Sequence, residues 1–145
     1  MLTLHVDDGL LAGDQENKIY KKAVQSINSK FNSKEWSNLE QGAVADYLGM
    51  QWQQDEERVT LNMDKYMKGI MEMEGKTKGK QADLTEKLDD DGVRNFRSVL
   101  AKVRWPVSHV VPELAYGVSS LAQTSPQCLT WDYVRRLNLV VKALT

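Results

Sequence analysis

Cysteine is nearly absent from this chain: 145 residues carry a single thiol, Cys128. No internal disulfide can form, which fits a reducing, cytoplasmic compartment. Histidine is almost as scarce. Neither His109 nor Cys128 has partners at metal-ligand spacing, so neither is assigned chemistry. No stretch approaches the roughly 20 apolar residues of a membrane span. The first residues lack a basic segment followed by an apolar one, so no secretory signal is visible. There is no internal repeat, which sets repeat architectures aside. Proline occurs only three times, at Pro106, Pro112 and Pro126.

What is present suits one soluble domain or a piece of one: 41% apolar and 27% charged residues. The net charge of −1 hides an asymmetry. Residues 1–62 carry 6 Lys/Arg against 10 Asp/Glu, a net of −4, and residues 93–145 carry 7 against 2, a net of +5. An acidic part joined to a basic part suits a phosphate-bearing partner, although two solvated faces of opposite sign read the same way.

The first chemical signal is His5-Val6-Asp7-Asp8. Leu2 to Val6 alternates as a half-buried strand does, and Gly9 to Gly13 can return as a second strand. The tip then holds two adjacent carboxylates, which repel unless a cation sits there. Hard Mg²⁺ favours such oxygens. Taken alone, Asp8-Gly9 is also an ordinary hairpin turn, with Gly9 supplying a positive φ.

Asp14 can cap a helix of about 16 residues, with Ile19, Tyr20, Ala23, Val24, Ile27 and Phe31 on one side, packed on a sheet. Lys18, Lys21 and Lys22 read as its solvated face. Residues 32–43 are polar and loop-like, with Trp36 and Leu39 pinning them. Ala45 to Gln53 reads as one strand, with Leu48, Met50 and Trp52 on one face and Tyr47, Gly49 and Gln51 on the other. Gly49 then suggests a bulge or a close approach. Asp55-Glu56-Glu57 is a turn, and Arg58 to Leu61 pairs back.

Asn62 can cap a short helix carrying Tyr66, Met67, Ile70 and Met71, ended by Gly75. Its methionines read as flexible core filler. Residues 75–92 are polar and charged and read as a mobile linker; their consecutive acids lack the alternate spacing of a calcium loop. The last third is helical. Phe96, Val99, Leu100, Val103 and Val107 share one side, with Arg94, Arg97, Lys102 and Arg104 across from them. Pro106 should kink or end that helix. Pro112 opens a helix with Leu114, Ala115, Val118 and Leu121, which Ser125-Pro126 breaks. Thr130 caps a final stretch with Trp131, Val134, Leu137, Val140 and Val141 inward.

The ordered set of motifs resembles the C-terminal half of the reverse transcriptase of copia-type LTR retrotransposons. The residues that carry the likeness are His5-Val6-Asp7-Asp8 with Ala12-Gly13, Tyr47-Leu48-Gly49-Met50-Gln51-Trp52, Val59-Thr60-Leu61-Asn62 and Tyr66-Met67. Phe96-Arg97-Ser98-Val99, Pro112 to Ser119 and Trp131 to Thr145 continue it. No single motif is specific; their order and spacing across the chain are. The departures are His5 where the family has Tyr, Val111 and Glu113 in the Arg-Pro-Asp segment, Ala101-Lys102 for Val-Gly, and Ala143-Leu144-Thr145 at the end. They point to a diverged or decaying copy, or to a distant lineage. His5 then packs near a primer end as the family Tyr does, or is simply a half-exposed strand residue.

The resemblance implies an α+β fold. Residues 1–74 would be a partial polymerase palm of antiparallel hairpins with a packed helix, residues 75–92 the linker, and residues 93–145 an all-helical thumb or connection-like segment. It implies two-metal nucleotidyl transfer, with Asp7 and Asp8 as catalytic, Mg²⁺-binding carboxylates. Tyr47, Leu48, Gly49 and Met50 would be primer-grip-like, and Arg94, Arg97, Lys102 and Arg104 would lie along nucleic-acid phosphates. The implied partners are an RNA/DNA template–primer, a deoxynucleoside triphosphate, and the upstream fingers and palm and downstream RNase H of the same polyprotein, in a cytoplasmic particle and without a membrane. The family's third acid and nucleotide-gripping fingers would precede Met1, so the chain is expected to be inactive in isolation. Two other readings remain: a non-catalytic nucleic-acid-binding remnant, and a structural module in which Asp7-Asp8 is only a turn.

Overall fold

The computed structural model describes residues 2–5, 8–31, 36, 39, 43–75 and 83–145. The protein is α+β, with five helices and two small antiparallel sheets among the described residues. It divides into two compact units, Met1–Leu61 and Asn62–Thr145. Residues 62–74, assigned by sequence to the palm-like part, therefore belong to the second unit.

In the first unit, β1 (Leu2–His5) pairs with β2 (Asp8–Leu11), with Leu2 opposite Leu11, Leu4 opposite Gly9 and His5 opposite Asp8. Gly9 sits inside β2 with no positive φ, so the expected Asp8-Gly9 turn is not where the chain bends. Helix α1 (Lys18–Phe31) starts one turn later than Asp14 suggested. Asp14 instead accepts from the Glu16 amide at 2.9 Å in a preceding turn, and Asn17 Oδ1 caps the helix by accepting from the Ile19 amide at 2.8 Å. The helix buries none of its residues. Tyr20, Ala23, Val24 and Ile27 are half-buried, while Ile19 is 79% and Phe31 70% exposed, so the expected packed helix is covered only in part. The Trp36 indole donates to Asn28 Oδ1 on this helix at 2.6 Å.

The stretch read as one strand is two. β3 (Val44–Tyr47) and β4 (Met50–Gln54) flank a two-residue turn, with Tyr47 opposite Met50. Leu48 and Gly49 both take positive φ, 53° and 73°, the left-handed pair that matches the twist of a tight hairpin. Because the chain reverses there, Tyr47, Met50 and Trp52 share one face, not the alternating faces of a continuous strand. β5 (Val59–Asn62) completes the meander. Asp55 closes the β4–β5 turn, accepting from the amides of Glu57 and Arg58, each at 2.9 Å, and from Arg58 Nε at 3.2 Å.

In the second unit, the Asp64 amide donates to Asn62 Oδ1 at 3.4 Å, and α2 (Asp64–Met67) is only one turn long. Ile70 and Met73 are buried beyond it, whereas Met71 is 75% exposed, because the chain has left the helical period. Helix α3 (Asp90–His109) is capped by Asp89, which accepts from the Gly92 amide at 2.8 Å, and Asp90 and Asp91 complement the positive end of its dipole. Pro106 neither ends nor breaks it. A 3₁₀ turn at Pro112–Leu114, α4 (Ala115–Ala122), a second 3₁₀ turn at Pro126–Cys128 and α5 (Trp131–Leu144) follow. α3, α4 and α5 pack on one another around Phe96, Val103, Leu129, Val134, Leu137 and Val141. Each such side chain contributes roughly 1.5–3 kcal/mol of burial.

The linker reading of 75–92 is corrected for its described part. The Leu88 amide donates to Leu129 O at 3.0 Å, Trp131 to Glu86 O at 3.2 Å and Asp132 to Leu84 O at 3.0 Å, so residues 84–88 are docked alongside 129–132. Backbone pairing does not need apolar side chains, which is why a polar composition missed it. Residues 76–82 lie outside the described residues. Among the described residues no helix is long and apolar enough to cross a membrane.

Candidate nucleic-acid interface

Three groups of residues carry the chemistry read from the sequence. The acid pair and the hairpin tip belong to the first unit, and the cationic row to the second.

Asp8 opens β2 opposite His5, at the end of the β1–β2 ladder. Asp7 and Val6 lie outside the described residues. Among the described residues no group of three or more His, Cys, Asp and Glu side chains could hold a metal ion.

At the hairpin tip, Tyr47 and Met50 are buried, Leu48 is half-buried and Gly49 is exposed. The Tyr47 ring meets Trp52 edge-on, centroids 6.1 Å apart and planes at 75°. The Tyr47 hydroxyl and the Trp52 indole N–H are both buried without a hydrogen-bond partner among the described residues. Of the four primer-grip-like residues, two thus serve the hairpin's own packing, and what faces outward is the backbone of the turn. Gly49 leaves that backbone approachable.

On α3, the apolar stripe faces the other helices and the opposite side is cationic. Arg94, Arg97, Lys102 and Arg104 are all exposed. Arg94 is paired with Asp91. Arg97, Lys102 and Arg104 form no ion pair with any described residue. Arg97 and Arg104 stand seven residues apart on one side, about 10 Å along the axis. Trp105, a residue the sequence reading passed over, is exposed on this same side. Its ring lies 4.2 Å from that of His109 at 50°, and its carbonyl is 2.8 Å from His109 Nδ1, so the imidazole left without a role is held against the indole. The wheel that grouped the arginines also places Trp105 between Arg94 and Lys102, so this signal was available in the sequence. Cys128 is exposed and free.

A cavity of about 480 Å³ in the second unit lies among Lys68, Ile70, Met71, Glu72, Val141 and Thr145, and is lined by none of the acid-pair, hairpin-tip or α3 cationic residues. No family model, curated protein or solved structure matches this chain.

Proposed function

We propose that the chain is the palm-to-thumb portion of a copia-type retrotransposon reverse transcriptase, and that its own contribution is to hold a template–primer. The observation that carries this reading is the solvent face of α3, where Arg97, Lys102 and Arg104 stand exposed, without carboxylate partners among the described residues, beside an exposed indole. Unpaired cations in a row neutralise phosphates without first breaking an ion pair, and an aromatic face among them suits sugars and bases. A tight hairpin with an exposed glycine at its tip adds a second surface that a primer strand can approach. Asp7 and Asp8 then supply two of the three carboxylates that the resemblance implies for Mg²⁺, with the third, and the nucleotide-gripping fingers, outside this sequence. The protein alone binds but does not extend a primer.

Anisotropy of a labelled RNA–DNA template–primer between 50 and 200 mM salt tests this. The expected result is an affinity that falls steeply with salt, with a slope smaller by about 1 for each of Arg97→Ala and Arg104→Ala. Salt-independent binding, or none, refutes the reading. Primer extension by the 145-residue chain with Mg²⁺ is expected to be absent, and clear extension would show that the chain holds a complete site. A second reading, a non-catalytic nucleic-acid-binding remnant, rests on the same cationic face of α3 without any role for the acid pair. The two differ when the missing palm and fingers are supplied in trans: Asp7→Asn and Asp8→Asn abolish extension in the first reading, whereas no extension appears at all in the second.

A further inference from the structure

Pro106 takes a donor away from the middle of α3. In an uninterrupted helix the Lys102 carbonyl accepts from the amide four residues on, and that residue is Pro106, which has no N–H and whose ring crowds the same carbonyl. A donor comes instead from outside the helix: the Tyr66 hydroxyl donates to Lys102 O at 3.3 Å. Tyr66 stands on α2, 36 residues earlier, where Met63 and Met67 are buried and seat that turn beside α3. The helix then runs on to His109. A proline in a helix interior ordinarily bends it by more than about 20°. Such a bend would fall between the half of α3 bearing Arg94 and Arg97 and the half bearing Arg104 and Trp105.

We propose that Tyr66 is a positioning residue for the cationic face of α3, holding the two halves of that face in one line by satisfying the carbonyl that Pro106 orphans. This rests on the nucleic-acid reading above only for what the face binds; the brace itself concerns α3. Tyr66 does not touch the nucleic acid. It acts through the backbone of Lys102, which lies between Arg97 and Arg104, and a helix held in line across that carbonyl presents both to one phosphate track.

The test uses the full chain with Tyr66→Phe, Pro106→Ala and both together, with two readouts. Amide exchange in residues 103–109 of α3 is expected to quicken about fivefold in Tyr66→Phe, the loss of one net hydrogen bond. The salt slope for template–primer binding is expected to fall by about 1. Pro106→Ala restores a backbone donor to Lys102 O, so the double variant should recover both values. A purely structural tyrosine would raise exchange evenly through residues 62–145 and leave the salt slope unchanged, and that result overturns the proposal. So does a double variant that fails to recover. If the parent chain does not bind template–primer while local exchange still responds and recovers, the nucleic-acid reading fails and takes the phosphate-positioning role with it. If the parent binds and neither readout responds, the positioning role alone fails.

Discussion

Asn138 and Met73 exchange two hydrogen bonds across 65 residues of chain. The Met73 amide donates to Asn138 Oδ1 and Asn138 Nδ2 donates to the Met73 carbonyl, both at 2.9 Å and both buried. Asn138 is the one buried polar side chain of the described residues, on the otherwise apolar inner face of α5. Residues 68–75 form no helix or strand of their own, so their backbone groups need partners from elsewhere. A carboxamide offers one donor and one acceptor in the arrangement of a neighbouring strand. Asn138→Ala should therefore cost about 2–4 kcal/mol, because it strands a buried N–H and a buried C=O together. Urea unfolding of the full chain measures this. A cost below about 0.5 kcal/mol would mean water replaces the amide without loss.

The tip of the β3–β4 hairpin makes a graded prediction. Gly49 has φ of 73°, where a Cβ is strained and asparagine is the best-tolerated side chain. Gly49→Asn should be close to neutral in stability, Gly49→Ala should cost about 1 kcal/mol, and Gly49→Val more. If the turn lies against a primer strand, Gly49→Asn should weaken template–primer binding despite that near-neutral stability. Unchanged binding in a folded Gly49→Asn protein would remove the hairpin tip from the interface.

The helical third was legible because period and burial agree there. Phe96, Val99, Leu100, Val103 and Val107 on α3, and Val134, Leu137 and Val141 on α5, are all buried as their spacing implies. Pro112 and Thr130 stand at the starts of elements as expected, although Thr130 makes no side-chain cap bond. The reversal at Leu48-Gly49 was not legible. Leucine carries no turn signal, and the residues on either side alternate as one strand would. The docking of 84–88 and the passage of α3 through Pro106 were missed for a shared reason. Each involves a hydrogen-bond partner distant in sequence, the Leu129 carbonyl in one case and the Tyr66 hydroxyl in the other, and local pattern holds no record of such partners. Of the candidate site, the cationic face was legible because a helical wheel determines it. Of the acid pair, Asp8 stands opposite His5 at the end of the β1–β2 ladder, next to the tip where the alternating pattern put it.

Asp55 gives a pH dependence of known sign. The Glu57 amide, then the Arg58 amide and guanidinium, hold its carboxyl below the ordinary aspartate value. A group depressed in the folded state stabilises the fold above its unfolded pKa, and that contribution is lost as pH falls through the lower folded value. The β4–β5 turn should therefore loosen only in acid below the usual carboxylate range. In NMR titrations the Asp55 carboxyl and the Glu57 and Arg58 amides should move together with that low midpoint. Asp55→Asn should abolish the shared transition. A midpoint at the ordinary aspartate value would mean the turn forms without these bonds.

Asp91 should restrain binding through Arg94. Their ion pair is exposed at both ends and so contributes little to stability, but it occupies the first cation of the α3 row. Arg94→Ala should therefore lower the salt slope for template–primer less than Arg97→Ala or Arg104→Ala does, since Arg97 and Arg104 carry no such pair among the described residues. Asp91→Asn should do the opposite, freeing Arg94, removing a nearby negative charge and raising the slope by up to about 1. The same substitution deletes an acid from the first turn of α3, where it favours the helix by about 0.3–1 kcal/mol. Tighter binding should thus accompany a slightly less stable protein, and measuring both in one set of samples separates charge from folding. If Asp91→Asn leaves affinity unchanged while Arg97→Ala reduces it, the nucleic acid meets α3 only from Arg97 onward.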